Sequence, residues 1–286
     1  MESFIEFLYS RFLLSNGVSI DTRTIEKDNL FFAISGPNFN ANKFAKDALD
    51  KGAAYAVVDD ESYKTDERIV LADDCLKALQ DLALFHRKRF KKPVIGITGS
   101  NGKTTTKELI NKVLSEKYIV HATAGNYNNH IGVPLTLLHI HPQVEIAIIE
   151  MGANHVGEIE QLSSFSLPTH GMITNIGQAH TETFGGVEGV IMGKSELFDF
   201  LRKNNGKAFI NMNDKVLSNM SKRFSDPVLF PTEDISLVDF NPYLEIEVSG
   251  HKCKTQLTGK YNLANISAAI AVGREFGVPE QKIREA

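Results

Sequence analysis

Cysteine is scarce in this chain: Cys75 and Cys253 are its only two, and they lie far apart. That excludes a disulfide framework and gives no metal-ligand spacing, so both are read as core residues of a protein from a reducing compartment. An excess of positive charge is also lacking, with 31 Lys and Arg against 35 Asp and Glu and a formal net charge of -4. There is no broad basic field to follow a nucleic-acid backbone, and nucleic acid is not an expected partner. Long hydrophobic runs are missing too. Stretches such as Ile146 to Ile149 fall far short of the roughly 20 residues that cross a bilayer. At the N-terminus, Glu2 and Glu6 stand where a secretion signal needs basic residues. Phe4, Ile5, Leu8 and Phe12 recur instead at helical spacing. The expectation is a cytoplasmic chain without a membrane span.

What is present suits a folded enzyme. The chain is 42% hydrophobic and 23% charged, enough for a sizeable core, and its 286 residues point to about two domains. Residues 1–92 read as a small α/β unit, with strands near 30–34 and 56–58 and a helix over 75–90. The basic run at 87–92, followed by Pro93, reads as a solvated helix end and a domain boundary. From 93 to 286, short apolar strands alternate with helical segments, which predicts a mostly parallel sheet with crossover helices. The expected strands are 94–98, 119–122, 145–150, 171–175 and 208–211. Segments 243–248 and 252–257 alternate around Ser249 and Gly250, predicting an antiparallel hairpin at the edge of that sheet. A helix is expected over 263–276. No internal repeat or low-complexity stretch is visible.

The chemistry concentrates where the apolar strand 94–98 runs into Gly99, Ser100, Asn101, Gly102, Lys103, Thr104 and Thr105 and then into a helix. Glycines let backbone N–H groups turn toward phosphates, the helix N-terminus adds a positive dipole end, and Lys103 supplies a point charge. Thr104 is then placed to ligate magnesium. The strict pattern G-x-x-x-x-G-K-[ST] is not met: it needs glycine where Ile97 stands, and Gly96 comes one residue early. An ordinary strand-turn-helix corner has no need of a lysine followed by three threonines. Further on, the apolar strand 145–150 ends in Glu150, and a carboxylate at the carboxyl end of a parallel strand sits where ligands bind in open α/β sheets. Glu150 is a magnesium-ligand candidate.

The loop GSNGKTTTKE, with its shortened glycine spacing, resembles that of the Mur ligases and the related folylpolyglutamate synthetases. The stretch 125–136, GNYNNHIGVPLT, is similar to a second family fingerprint, which implies that Asn128 lies near the reacting acyl group. The resemblance gives His180 a metal-binding role and makes Lys194 a carbamylated lysine holding a second magnesium. It implies that Asn262 and Asn265, in GKYNLANISAA, face the adenine side of ATP, where Tyr261 departs from the usual histidine. In the first domain, VSIDTR followed by NLFFAISG resembles a uridine-diphosphate-binding domain, with Thr22 and Arg23 as substrate contacts. The stretch after Gly36 lacks the Gly-His pair often found there.

Within the family, MGANHVGEI paired with NIGQAHTETFGGVEGVIMGKSELF is most like the members that join D-alanyl-D-alanine to a UDP-N-acetylmuramoyl-tripeptide. These work through an acyl phosphate, in peptidoglycan synthesis, with ATP and two magnesium ions. A ligase adding the third amino acid, a folylpolyglutamate synthetase-like ligase and a nucleotide-binding module without ligase chemistry remain alternatives. The helix signalled by Pro279 is still running at residues 284–286. The resemblance implies a further, Rossmann-like domain beyond this point, expected to be absent here. A monomer that does not ligate on its own is the expectation.

Overall fold

The computed structural model describes residues 3–177 and 181–286. It divides into two compact units: residues 1–91 with 130–140, and residues 92–129 with 141–286.

In the first unit α1 (Phe4–Leu13) starts at a capping box, in which the Ser3 side chain takes the Glu6 N–H and Glu6 reaches back to Ser3. Four short strands follow: β1 (Val18–Ser19), β2 (Leu30–Phe32), β3 (Tyr55–Val58) and β4 (Ile69–Leu71), with α2 (Ala45–Asp50) between β2 and β3. They pair in chain order and all in parallel. Helix α3 (Cys75–Arg87), capped by Asp74, covers the sheet with Leu79, Leu82 and Ala83. A parallel sheet puts the carboxyl ends of its strands on one side. The loops after β1, β2 and β3 therefore share an end of this sheet.

In the second unit β5 (Val94–Thr98) leads through the glycine loop into α4 (Lys103–Ser115) and then β6 (Val120–Ala122). Segment 130–140, expected in the central domain, carries α5 (Gly132–Leu138) and clusters with the first unit. There the Gln80 side chain donates to the His130 carbonyl at 3.0 Å. The second unit resumes with β7 (Ile146–Glu150), α6 (Glu158–Ser166), β8 (His170–Ile173), α7 (Thr181–Phe184), α8 (Val187–Lys203), β9 (Lys207–Asn211), α9 (Lys215–Met220) and β10 (Val228–Phe230). These strands form a six-stranded, wholly parallel sheet in the order β10-β9-β8-β5-β7-β6. Strand β5 lies centrally, flanked by β7 and β8.

Alternation along the strands sorts the faces. Ile95 and Ile97 of β5, with Ile146 and Ile148 of β7, share one core with Ile110 and Leu114 of α4 and with α10 (Asn262–Glu275). Burying each such aliphatic side chain stabilises the fold by roughly 1.5–3 kcal/mol. Gly96 faces the other way: a Cβ there would stand 2.5 Å from Met151 Cε and 3.2 Å from Leu197 Cδ1 of α8. The close approach of α8 therefore requires the glycine.

The expected hairpin forms from β12 (Glu245–Val248) and β13 (His251–Lys254), but not at the edge of the parallel sheet. It joins β11 (Ile235–Asp239) in a separate three-stranded antiparallel sheet. Ile246 and Val248 on its inner face belong to the α4–α10 core, so burial decides the placement. Arg274 of α10 ties this sheet down, reaching Asp234 at 2.6 Å and Glu280 of α11 (Glu280–Glu285) at 2.5 Å. Among the described residues, no helix is long and apolar enough to cross a membrane.

Candidate active site

At the carboxyl edge of the parallel sheet around β5, the loops and the start of α4 bring Lys103, Thr104, Asn128 and Glu150 together. The first loop is 99–102. Gly99 has φ +142°, and a Cβ there would fall 2.0 Å from Thr174 Oγ1; Gly102 has φ +78° and backs onto Asn265. Neither position tolerates an ordinary side chain. Gly102 is the N-cap of α4, and no side chain among the described residues caps this helix. The opening N–H groups of α4 thus remain for a ligand, together with the positive end of its dipole. Lys103 Nζ folds back over the loop, donating to the carbonyls of Gly99 (2.9 Å) and Ser100 (3.3 Å).

The loop after β8 clasps this turn. Ser100 N–H donates to the Asn175 carbonyl, Asn101 N–H to Asn175 Oδ1, and Thr174 Oγ1 donates to the Asn101 carbonyl at 2.6 Å. The backbone amides of Ser100 and Asn101 are thereby committed to holding the loop's shape. The pattern at 99–105 does not by itself single out Thr174 and Asn175. The Asn at 175 after an apolar strand is a signal that could have pointed there.

Glu150 is the last residue of β7, and the alternation that sends Ile146 and Ile148 toward α4 sends its side chain the same way. Its Oε1 accepts from Thr104 Oγ1 at 3.2 Å and from Asn128 Nδ2 at 2.9 Å. Its N–H donates to Thr123 Oγ1 at 2.9 Å. The carboxylate is 1% exposed, and its Oε2 is buried without a hydrogen-bond partner among the described residues. Burying a carboxylate oxygen unpaired is unfavourable, and a cation would offset that cost. Hydroxyl and carboxylate oxygens are also the donors magnesium prefers. The residues therefore fit a magnesium ion held by Thr104 and Glu150. No group of three or more His, Cys, Asp and Glu side chains arranged for a metal occurs among the described residues.

Lys194 lies on the inner face of α8, 2% exposed. Its Nζ donates to the Ala153 carbonyl at 3.2 Å and stands 5.1 Å from the centre of the Phe184 ring. Glycines make this possible: a Cβ on Gly193 would lie 2.5 Å from the Phe184 ring, and one on Gly189 would lie 1.8 Å from its carbonyl. Burial first, and the like charge of Lys103 second, lower the Lys194 amine from 10.5 to about 8. Burial also lowers Lys103, while Glu150 opposes that shift. His180 lies outside the described residues.

Asn262 and Asn265 begin α10 beside the loop, each 7% exposed. Thr106 Oγ1 donates to Asn265 Oδ1 (3.1 Å), Asn265 Nδ2 to Asn262 Oδ1 (2.7 Å), and Asn262 Nδ2 to the Thr258 carbonyl (2.9 Å). This chain of amides props α10 against α4 directly behind Gly102. Tyr261, before it, is 74% exposed.

In the first unit, Thr22 and Arg23 stand on the turn after β1. Arg23 grips Asp21 through Nε and Nη2, at 2.6 Å for the shorter contact, and holds that carboxyl down at about 2. At the same sheet end, residues 35–40 with Asn42, Asp59 and Asp60 line a cavity of about 520 Å³. Asn42, where the Gly-His pair is lacking, donates to Asp59 Oδ1 (2.7 Å) and accepts the Asp59 N–H (2.9 Å).

A lysine-bearing glycine loop at the centre of a parallel sheet, with a carboxylate closing the neighbouring strand, defines a phosphate-loop α/β protein. Residues 97–273 match the model of the Mur ligase middle domain. The UDP-N-acetylmuramoyl-tripeptide–D-alanyl-D-alanine ligase of Bacillus subtilis is 37% identical over 272 residues, 92% of this chain and 59% of that protein. Its Escherichia coli counterpart is 34% identical over 283 residues, 94% of this chain and 62% of that protein. MurF ligase from Thermotoga maritima, solved in complex with ADP, superposes with a TM-score of 0.81 at 29% identity, over 96% of this chain and 66% of its own. This chain belongs to the Mur ligase family. It spans about 60% of the length of the curated relatives it matches.

Proposed function

We propose that this chain provides the nucleotide-binding and uridine-substrate-binding parts of an ATP-dependent ligase that joins D-alanyl-D-alanine to UDP-N-acetylmuramoyl-tripeptide. The observation that carries the reading is Glu150, buried with one oxygen unpartnered, against Thr104 and Asn128 at the mouth of the glycine loop. The names of the relatives supply the substrates, and the ADP complex of the Thermotoga ligase supports ATP as the nucleotide.

The α4 N–H groups and Lys103 bind the β- and γ-phosphates, with Lys103 leaving its carbonyl partners to reach them. Thr104 and Glu150 hold magnesium, which when bound offsets charge on the transferring phosphoryl group. The tripeptide carboxylate takes the γ-phosphoryl group, releasing ADP. The amine of D-alanyl-D-alanine then attacks the acyl carbon, the amide C–N bond forms, and phosphate leaves. Asn128, fixed on Glu150, orients the acyl group. In this reading His180 adds a metal ligand, and the amide edges of Asn262 and Asn265 left over from their mutual bonds face the adenine.

Lys194 is the site of carbamylation. With the amine near 8, about a tenth is unprotonated at pH 7, against roughly one part in 3,000 at 10.5. The free amine attacks the carbon of carbon dioxide, an N–C bond forms, and the proton goes to water. The resulting anion supplies oxygens for a second magnesium. In the first unit, Thr22, Arg23 and the 35–42 loop take the uridine diphosphate.

The test is calorimetric titration of the chain with ATP, with and without magnesium, and with UDP-N-acetylmuramoyl-tripeptide. Binding of both ligands with a magnesium-dependent gain for ATP is expected. No ATP binding would overturn the site, and binding of a folate in place of the uridine nucleotide would overturn the substrate.

A further inference from the structure

A lysine without any exposed surface sits one turn along α4 from Lys103. Lys107 is 0% exposed, with Nζ donating to the Thr123 carbonyl at 2.6 Å and lying 3.0 Å from Glu108 Oε1. The Glu108 side chain is itself 62% exposed. Taking an ammonium out of water is unfavourable, and an apolar side chain of similar length would fill the space without that penalty. An apolar residue could make neither contact, and since the ion pair ends on an exposed carboxylate and stabilises little, the bond to one particular carbonyl is what sets the lysine apart.

That carbonyl is well placed. Thr123 follows β6 and opens the segment 123–129, and its Oγ1 accepts the Glu150 N–H. At the other end of the segment, Asn128 donates to Glu150 Oε1, and its carbonyl accepts the Gly152 N–H at 2.8 Å. Both ends of the segment thus grip Glu150 or the residues just after it. Lys107 fastens the first end to the helix whose opening turn carries Lys103 and Thr104.

We propose that Lys107 is a positioning residue that fixes the 123–129 segment, and through it the Glu150 carboxylate and Asn128 amide, at a set distance from the Thr104 hydroxyl. The two oxygens are then preset for a divalent cation before one arrives. This rests on the reading of the site as a magnesium–nucleotide site.

Lys107→Met and Lys107→Leu remove the charge and keep the bulk. The measurements are thermal unfolding, ATP titration in magnesium and in EDTA, and hydrogen exchange of the metal-free chain. The expected result is an unfolding temperature at or above that of the unsubstituted chain and unchanged ATP affinity in EDTA. The magnesium-dependent gain should fall about tenfold, as when a partner that orients a metal ligand is lost. The Glu150 and Gly152 amides should exchange about tenfold faster. On a Glu150→Gln background, Lys107→Met should add no further loss of the gain, because the two act through one carboxylate. A full magnesium-dependent gain in both lysine variants, unchanged exchange, or an additive loss on that background overturns the proposal. So does a variant that melts early and loses ATP binding in EDTA, which would mark a lysine needed only for folding. If the unsubstituted chain shows no magnesium-dependent gain, the site reading itself fails and this proposal with it. Retention in the variants alone leaves that reading standing.

Discussion

The turn at 21–24 and the loop at 99–105 each place a basic side chain beside a carboxylate, and water makes the two very different. Arg23 is 86% exposed and its bond to Asp21 is local, between residues two apart. Lys103 is half-buried, and the carboxylate near it, Glu150, is out of water with one oxygen unanswered. A solvated pair can be taken apart by a ligand with little consequence for the fold. A buried group must be arranged in advance by the chain around it, and it is: β7, the 123–129 segment and α4 each hold Glu150 from a different side.

The largest effect should come from Lys103→Ala, which removes charge at the buried end. ATP affinity or phosphoryl transfer is expected to fall about 10²–10³-fold with the unfolding temperature little changed, since the lysine packs on its own loop. Unaltered ATP titration would erase the contrast between the two regions. Gly99→Ala should follow, costing about 2–3 kcal/mol in denaturant unfolding through its φ and the clash with Thr174.

Lys194 sharpens the comparison through pH. Its folded value of about 8 lies below the ordinary 10.5, so between these values the unfolded chain holds a proton that the folded chain has released. Stability therefore rises as pH goes from about 8 toward 10.5, and Lys194→Met should flatten that rise in unfolding midpoints measured across the range. The smallest effect is expected at the exposed turn. Arg23→Ala should leave the unfolding midpoint where it is, and weaken uridine diphosphate binding only severalfold, about three- to tenfold by titration.

Much of this was legible in the sequence because it is carried by local pattern. Strand 94–98 and the loop behind it announce themselves by an apolar run, two glycines and a lysine, and Glu150 by ending a second apolar run. The hairpin of β12 and β13 was legible from its turn, but not its sheet, since β11 (Ile235–Asp239) is half exposed and has no apolar run of its own. Lys107 passes in the sequence for one more helix-surface lysine, because nothing local says that Thr123 will come to meet it. The amide chain from Thr258 through Asn262 and Asn265 to Thr106 likewise spans 159 positions at its last step, and only the fold closes it. Segment 130–140 was the least legible. Gly132 to Leu138 is buried throughout and has no face to read, so periodicity cannot say which unit it serves.

That segment has a consequence for how the protein is made. The first unit takes residues 1–91 and then 130–140, so a ribosome that has delivered its sheet and α3 has not delivered all of it. Strand β5, the glycine loop, α4 and β6 emerge before α5 does. Helix α5 packs against α3, and at a synthesis rate of about 5–20 residues per second that side of α3 waits some seconds for it. Through that interval the nascent chain displays an apolar surface, and the early part of the second unit is already present while it does so. The two units therefore cannot mature strictly one after the other, and a cut at residue 92 would not release a finished first half.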